Sequence, residues 1–235
     1  MPDSPDLETL ALRVKDVMQK IESACQGARR DVSEVTLLPV SKTFGADAIR
    51  HMVTLGFKRF GENRLQEIAQ KAPALEDCDI EWVVIGHVQT NKAKEVAKYA
   101  SELQSLDRLA LAEALHKRLS TLDRTLDVLV QVKTSPEQTK AGIEPHELLA
   151  LLQDLTNYPT LKVKGLMTMA VLSEDEDAVR QCFVRLRQCQ EQARAANLPG
   201  MTFDRLSMGM SGDMRIAIDE GSTEVRVGSA IFGAR

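Results

Sequence analysis

The sequence predicts an α/β fold, a single (β/α)8 barrel of the TIM type carrying an extra N-terminal helix. Two observations carry that prediction. Short apolar runs alternate with helical apolar stripes eight times along the chain, the pattern of parallel strands joined by crossover helices. No GxGxxG follows the first run, so the open, doubly wound dinucleotide-binding alternative lacks its fingerprint.

The elements follow in order. Residues 5–27 read as a helix: Ser4 is placed to cap it, Pro5 suits its first position, and Leu7, Leu10, Val14, Val17, Met18, Ile21 and Cys25 form one apolar stripe. Val35–Val40 is a run too short for a helix and apolar enough for a buried strand. A helix over Ala46–Leu55 closes on Gly56, and Lys58–Phe60 forms a second strand ending in Gly61-Glu62-Asn63 before a helix from Arg64. Ile80–Ile85 is the third strand, with Trp82 inside it as core, and a helix over Asn91–Tyr99 follows. Leu103–Leu106 is the fourth strand, and Asp107 is expected to cap the helix running through Leu119. Leu126–Val132, the helix Pro145–Leu155, the strand Leu161–Met169 and the helix Asp177–Ala196 continue the alternation. Arg205–Ser207, a short helix Asp213–Asp219 and Glu224–Val227 complete it. The sequence stops at Arg235, too soon for a substantial eighth helix, so the N-terminal segment 1–30 is expected to pack over that gap. Residues 1–235 are expected to form one domain, since no low-complexity stretch or linker interrupts the order.

The chain has 43% hydrophobic and 27% charged residues, the balance of a soluble globular protein. A net charge of −4 with both signs interspersed argues against a general nucleic-acid or membrane-surface binder. No signal-like or membrane-length apolar segment is present, and Cys25, Cys78, Cys182 and Cys189 have no CxxC or zinc spacing. They read as reduced and structural, with the cytoplasm as the expected compartment.

In such a barrel the chemistry sits at the C-terminal ends of the strands. The polar residues there are Lys42, Asn63, His87, Asp107, Lys133, Met169 with its neighbours, Ser207, and Arg226 with Gly228-Ser229. A lysine at the mouth of a buried strand loses hydration, its pKa tends to fall, and a neutral amine can condense with an aldehyde or ketone. The Gly- and Ser-rich segment 207–213 and the turn Gly228-Ser229 offer N–H groups and hydroxyls to a phosphate after strands seven and eight. A lysine with a phosphate cradle leaves two classes open, a sugar-phosphate aldolase of the Schiff-base type and a pyridoxal-phosphate protein. Elsewhere, His51, His116 and His146 fall on helices as structural or solvent-facing residues. Asp213 reads as a helix-start residue, and Ser173–Asp177 as a solvated acidic helix start. Glu62 is expected to pair with a basic neighbour and has no catalytic role.

SKT after the first strand, FGEN at 60–63, IGHVQTNK at 85–92, TKAG at 139–142, GLMTM at 165–169, SMGMSGDM at 207–214 and EVRVGSAIFG at 224–233 occur in register over nearly the whole chain. Together they resemble the YggS/PLPBP family of pyridoxal-phosphate homeostasis proteins, relatives of the alanine-racemase barrel that lack its second, β-rich domain. The resemblance implies that Lys42 carries pyridoxal 5'-phosphate as an aldimine, and that Ser207, Gly209, Ser211, Gly228 and Ser229 surround its phosphate. It further implies that Arg226 faces the pyridine nitrogen while Asn63, His87 and Met169 line the ring; for His87, ring contact competes with a plain loop hydrogen bond. The implied role is cofactor binding for vitamin B6 homeostasis and delivery to apo-enzymes, by a monomer with little or no catalysis and no metal. An arginine at the ring nitrogen does not supply it with a proton, and the racemase's second acid/base comes from the domain that these relatives lack. The alternative is a weak amino-acid racemase or transaminase.

Overall fold

A computed structural model describes residues 5–137 and 141–233. Ser4, and Thr139 and Lys140 of the TKAG motif, lie outside the described residues. The strands are β1 Thr36–Pro39, β2 Arg59–Glu62, β3 Glu81–Val84, β4 Ala100–Leu106, β5 Leu126–Gln131, β6 Leu161–Met167, β7 Arg205–Ser207 and β8 Glu224–Val227. The helices are α1 Leu7–Gly27, α2 Ala46–Thr54, α3 Leu65–Lys71, α4 Ala93–Tyr99, α5 Leu109–Thr121, α6 Leu148–Leu155, α7 Glu176–Ala195, α8 Met214–Asp219 and α9 Ser229–Phe232.

The strands pair in parallel in the order β1-β8-β7-β6-β5-β4-β3-β2. A parallel bridge between Val40 and Gly61, with the Ser41 N–H donating to the Gly61 carbonyl at 3.0 Å, joins the two ends. The sheet thus curls into the expected barrel, and the residues beyond each strand's C-terminal end gather around one mouth. Helix α1 lies against α8, α9 and α2 with Leu10, Val17, Ile21, Ala24 and Cys25 buried. Its flank is pinned to the end of the chain: Arg13 donates to the Ile231 carbonyl at 3.3 Å, and Arg30, just beyond α1, to those of Ile218 and Ser222 at 2.9 and 2.7 Å. After β8 the chain makes the four-residue α9.

Several boundaries differ from the sequence reading for identifiable reasons. Asp6, not Ser4, caps α1, its carboxylate accepting from the Thr9 N–H at 2.8 Å. Asp107 does not cap α5: the cap position is Arg108, and Asp107 pairs with the Arg108 guanidinium. The sixth strand stops at Met167, which leaves Met169 in the following loop. The fourth strand starts three residues earlier than expected, at Ala100. Its Glu102 concealed that start, because a barrel interior is usually filled by branched apolar side chains.

Here the interior is polar. Glu102 and Glu224, both buried, bracket Arg59 and Arg205 through contacts of 2.5 to 2.9 Å. Burial alone would raise the Glu224 carboxyl, but Arg205, Arg59 and the Gln104 amide outweigh it and hold it below the ordinary carboxylate range. Glu102 and Gln104 occupy alternate positions on β4, the spacing that puts them on one face of the strand, while Arg59, Arg205 and Glu224 open β2, β7 and β8. All four cysteines are free and buried. Among the described residues no helix is long and apolar enough to cross a membrane, and no group of three or more His, Cys, Asp or Glu is placed to hold a metal ion.

Candidate functional site

A cavity of about 660 Å³ opens at the C-terminal mouth of the barrel. Lys42, Asn63, His87, Met169, Ser211, Arg226, Gly228 and Ser229 all line it. Val40, Phe44, Ile85, Met167 and Met210 add apolar walls, and Gln131 and Gly212 complete the polar ones.

Lys42 sits in a tight turn at the end of β1, closed by the Phe44 N–H donating to the Ser41 carbonyl at 3.1 Å. The third residue of that turn, Thr43, has φ +72°, a left-handed conformation that a β-branched residue adopts at a cost of about 1–2 kcal/mol. Phe44 then stacks on Phe232 of α9, ring centroids 5.2 Å apart, so both ends of the barrel sequence meet beside Lys42. Across the cavity, Arg226 lies within β8 and is 4% exposed. Its guanidinium donates to the Ser207 hydroxyl at 2.6 Å and to the Thr168 carbonyl at 2.7 Å, both neutral acceptors. Burial lowers its pKa, with Glu224 and Asp213 acting the other way. A guanidinium remains protonated in proteins, so this is a fixed cation that donates and never accepts.

Two residues that the motifs assign to the phosphate do not line the cavity. Ser207 is fully buried, its hydroxyl donating to the Gln104 side-chain carbonyl at 2.7 Å while accepting from Arg226. Gly209 is likewise buried, with φ +97°, and a Cβ there would come within 2.6 Å of the Ala217 Cβ. Its carbonyl accepts the Arg226 N–H at 2.9 Å, so both residues hold Arg226 from behind. The rim opposite consists of Ser211, Gly212, Gly228 and Ser229, with the Ser211 and Ser229 hydroxyls 3.5 Å apart. Asp213 heads α8 without a side-chain cap and accepts the Met210 N–H at 2.5 Å, which closes the rim loop.

The third wall depends on a close backbone approach. A Cβ on Gly86 would come within 2.1 Å of the Asn63 carbonyl oxygen, so only glycine lets the β3 loop pass beside Asn63. Its carbonyl accepts from the Ser105 hydroxyl at 2.7 Å. His87 stands next, half exposed, with Nδ1 3.5 Å from an Asp107 oxygen. Asp107 and Lys133 themselves do not line this cavity; Lys133 pairs with Glu144 at 2.9 Å. Among the described lining residues the ionisable ones are Lys42, His87 and Arg226. The arrangement suits a small flat ligand that offers a carbonyl carbon to an amine, an acceptor atom to a guanidinium and an anionic group to hydroxyls.

Residues 18–235 match the family described as alanine racemase, N-terminal domain. The pyridoxal phosphate homeostasis protein of Aquifex aeolicus is 39% identical over 223 residues, 95% of this chain and 97% of that protein. The chain belongs to the pyridoxal phosphate homeostasis protein family. Two solved structures share this barrel. An unknown protein from Bifidobacterium adolescentis superposes with a TM-score of 0.91 at 33% identity, covering 96% of this chain and 95% of that one. PipY of Synechococcus elongatus, solved with PLP bound, gives 0.80 at 33% identity, covering 91% and 100%.

Within this cavity, sequence reasoning missed Gln131, Phe44 and the apolar walls, because nothing in composition separates a lining residue from a core one. It also missed Gln104 and Lys71, which touch residues flanking the site. The period-two polar positions on β4 carried the signal for Gln104. Lys71 gave none, lying on a helix that the strand-end rule does not search.

Proposed function

We propose that this protein binds pyridoxal 5'-phosphate through an aldimine on Lys42, and serves vitamin B6 homeostasis and cofactor delivery with little or no catalysis. The observation that carries this reading is the gathering in one cavity of an amine, a buried guanidinium and a hydroxyl-lined rim. Each matches one functional group of the cofactor. The Lys42 amine condenses with the aldehyde and water leaves. Ser211, Ser229 and the backbone at Gly212 and Gly228 receive the phosphate. Arg226 donates to the ring nitrogen, with Ser207 and Gly209 reassigned to holding that arginine. The naming of the relatives and the cofactor in PipY support the same reading.

Two features favour holding over turnover. Pyridoxal phosphate supplies an electron sink whose strength rises when the ring nitrogen carries a proton, and Arg226 donates its own hydrogen bond there instead. His87 is the one lining side chain able to act as a second acid/base among the described residues, and it is half exposed on the rim. The exposed rim, with Met210 40% and His87 51% accessible, fits a protein that takes up and releases its cofactor, including to apo-enzymes. One chain supplies every wall described, which fits a monomeric, single-domain carrier. Free, buried thiols suit a reducing cytoplasm.

Adding pyridoxal phosphate to the purified protein is expected to produce a visible absorption band that Lys42→Ala lacks. Incubating the loaded protein with L-amino acids is expected to yield neither D-enantiomer nor keto acid beyond a single equivalent. Sustained turnover would establish an enzyme instead, and a band of equal intensity in Lys42→Ala would remove that residue as the attachment point.

A further inference from the structure

Behind the Lys42 turn lies a charged cluster that the ligand-facing residues do not include. Lys71, at the end of α3 and 8% exposed, donates from Nζ to the Glu62 carboxylate at 2.7 Å, to the Ser41 carbonyl at 3.1 Å and to Glu67 at 3.2 Å. Glu62, fully buried at the end of β2, also accepts from the Ser41 hydroxyl at 2.6 Å. Glu67 accepts the Thr43 N–H at 2.6 Å. The residues before and after Lys42 are therefore both gripped by one network.

Two features show that this grip works against local preference. Thr43 is held in a left-handed conformation that an unconstrained β-branched residue avoids, and the Glu67 carboxylate bonds its N–H there. The second Glu62 oxygen is buried with no hydrogen-bond partner among the described residues, an uncommon state for a buried carboxylate oxygen. Burial pushes the Glu62 carboxyl up against the pull of Lys71 and Ser41. Burial also raises Glu67, but the Thr43 N–H and Lys71 outweigh it and hold that carboxyl below its usual range. Backbone strain clusters at sites where geometry serves chemistry, and here a strained residue and a buried charged pair flank the Lys42 position.

We propose that Lys71, acting with Glu62 and Glu67, is a positioning residue that locks the Ser41–Phe44 turn so that the Lys42 amine points into the cavity ready for a carbonyl carbon. This rests on Lys42 being the attachment point. Lysine has many rotamers, and a turn free to relax at Thr43 would spread its amine over more of them.

The test compares wild type with Lys71→Met, Lys71→Arg and Thr43→Gly. Thermal midpoints are measured alongside the rate at which the visible band appears on mixing with pyridoxal phosphate, with borohydride and peptide mass analysis locating the label. Lys71→Met is expected to form the band at least about tenfold more slowly, and Lys71→Arg, which restores a cation, to recover part of that rate. Thr43→Gly relieves the strained conformation, so it is expected to melt higher yet form the band more slowly, a pairing that no purely structural role produces. Folded Lys71→Met with a wild-type rate would overturn the proposal. If Lys71→Met does not fold, Thr43→Gly decides alone: gained stability with an unchanged rate overturns it. Label on Lys42 in wild type with unchanged variant rates sinks this inference and leaves the binding reading intact, whereas no label on wild-type Lys42 sinks both.

Discussion

Replacing Glu224 by Gln should unsettle the barrel from inside. The Glu224 carboxylate is 1% exposed and accepts from Arg59 at 2.9 Å, from Arg205 at 2.7 Å and from Gln104 at 2.5 Å. The substitution keeps the shape, but it leaves Arg205 facing Glu102 alone and Arg59 facing Glu102 and, at 3.7 Å, the half-exposed Glu81, and it turns an amide N–H₂ toward one of its former donors. Breaking a buried ion network this way typically costs about 3–5 kcal/mol, because the charge left behind stays buried. Arg59 and Arg205 are about a quarter exposed (27% and 25%), so water relieves part of the loss and the low end, about 3 kcal/mol, is expected. That is about two decades in the folding constant, or roughly 6–12 °C in midpoint for a chain of this size. Lys58→Ala, which breaks an ion pair whose partners are 60% and 90% exposed, should cost at most about 1 kcal/mol under the same conditions.

The pH dependence gives a second handle on the same substitution. Glu224 has its pKa lowered in the fold, so its contribution is present above the unfolded-state value, about 4.3, and is lost as pH falls toward the folded value. Urea unfolding of wild type and Glu224→Gln should therefore differ by a constant amount from about pH 5 to 7 and converge below about pH 4. A loss under about 1 kcal/mol at pH 7, or a gap that widens in acid, would refute the reasoning.

Other outcomes follow from the cavity walls. Gly86→Ala places a methyl within 2.1 Å of the Asn63 carbonyl and should cost about 1–3 kcal/mol while pushing Asn63 out of place; calorimetry and a cofactor titration read the two effects. Arg226→Glu replaces a donor by a group able to hold a proton at the ring nitrogen. The pH titration of the loaded protein's spectrum should shift, and an unchanged titration in a folded variant would dissociate Arg226 from the ring.

Lys42 was legible as a cavity residue because a lysine at the mouth of an apolar strand is a chemical anomaly that sequence displays directly. Arg226 was legible because it falls on the last strand near the mouth and within a recurring motif. Eight alternations likewise declare the barrel, since a parallel strand buried on both faces has to be apolar and short. The same rule misled at β4, where Glu102 looked like a loop residue although the barrel interior neutralises it with arginines from β2 and β7. Those partners are 43 and 103 residues away, a separation that no local pattern spans. Ser207 and Gly209 were placed on the phosphate by motif, whereas the fold turns them toward Arg226, because a motif records which residues recur and not the way they face. Asp107 was read as a cap from its position before a helix, yet Arg108 occupies the cap position and claims that carboxylate.

The most direct measurement is borohydride reduction of the protein saturated with pyridoxal phosphate, followed by mass analysis of its peptides. The expected result is one reduced cofactor adduct, on the peptide carrying Lys42. An adduct scattered over exposed lysines, or none on Lys42, would contradict the assignment of this cavity as the cofactor site.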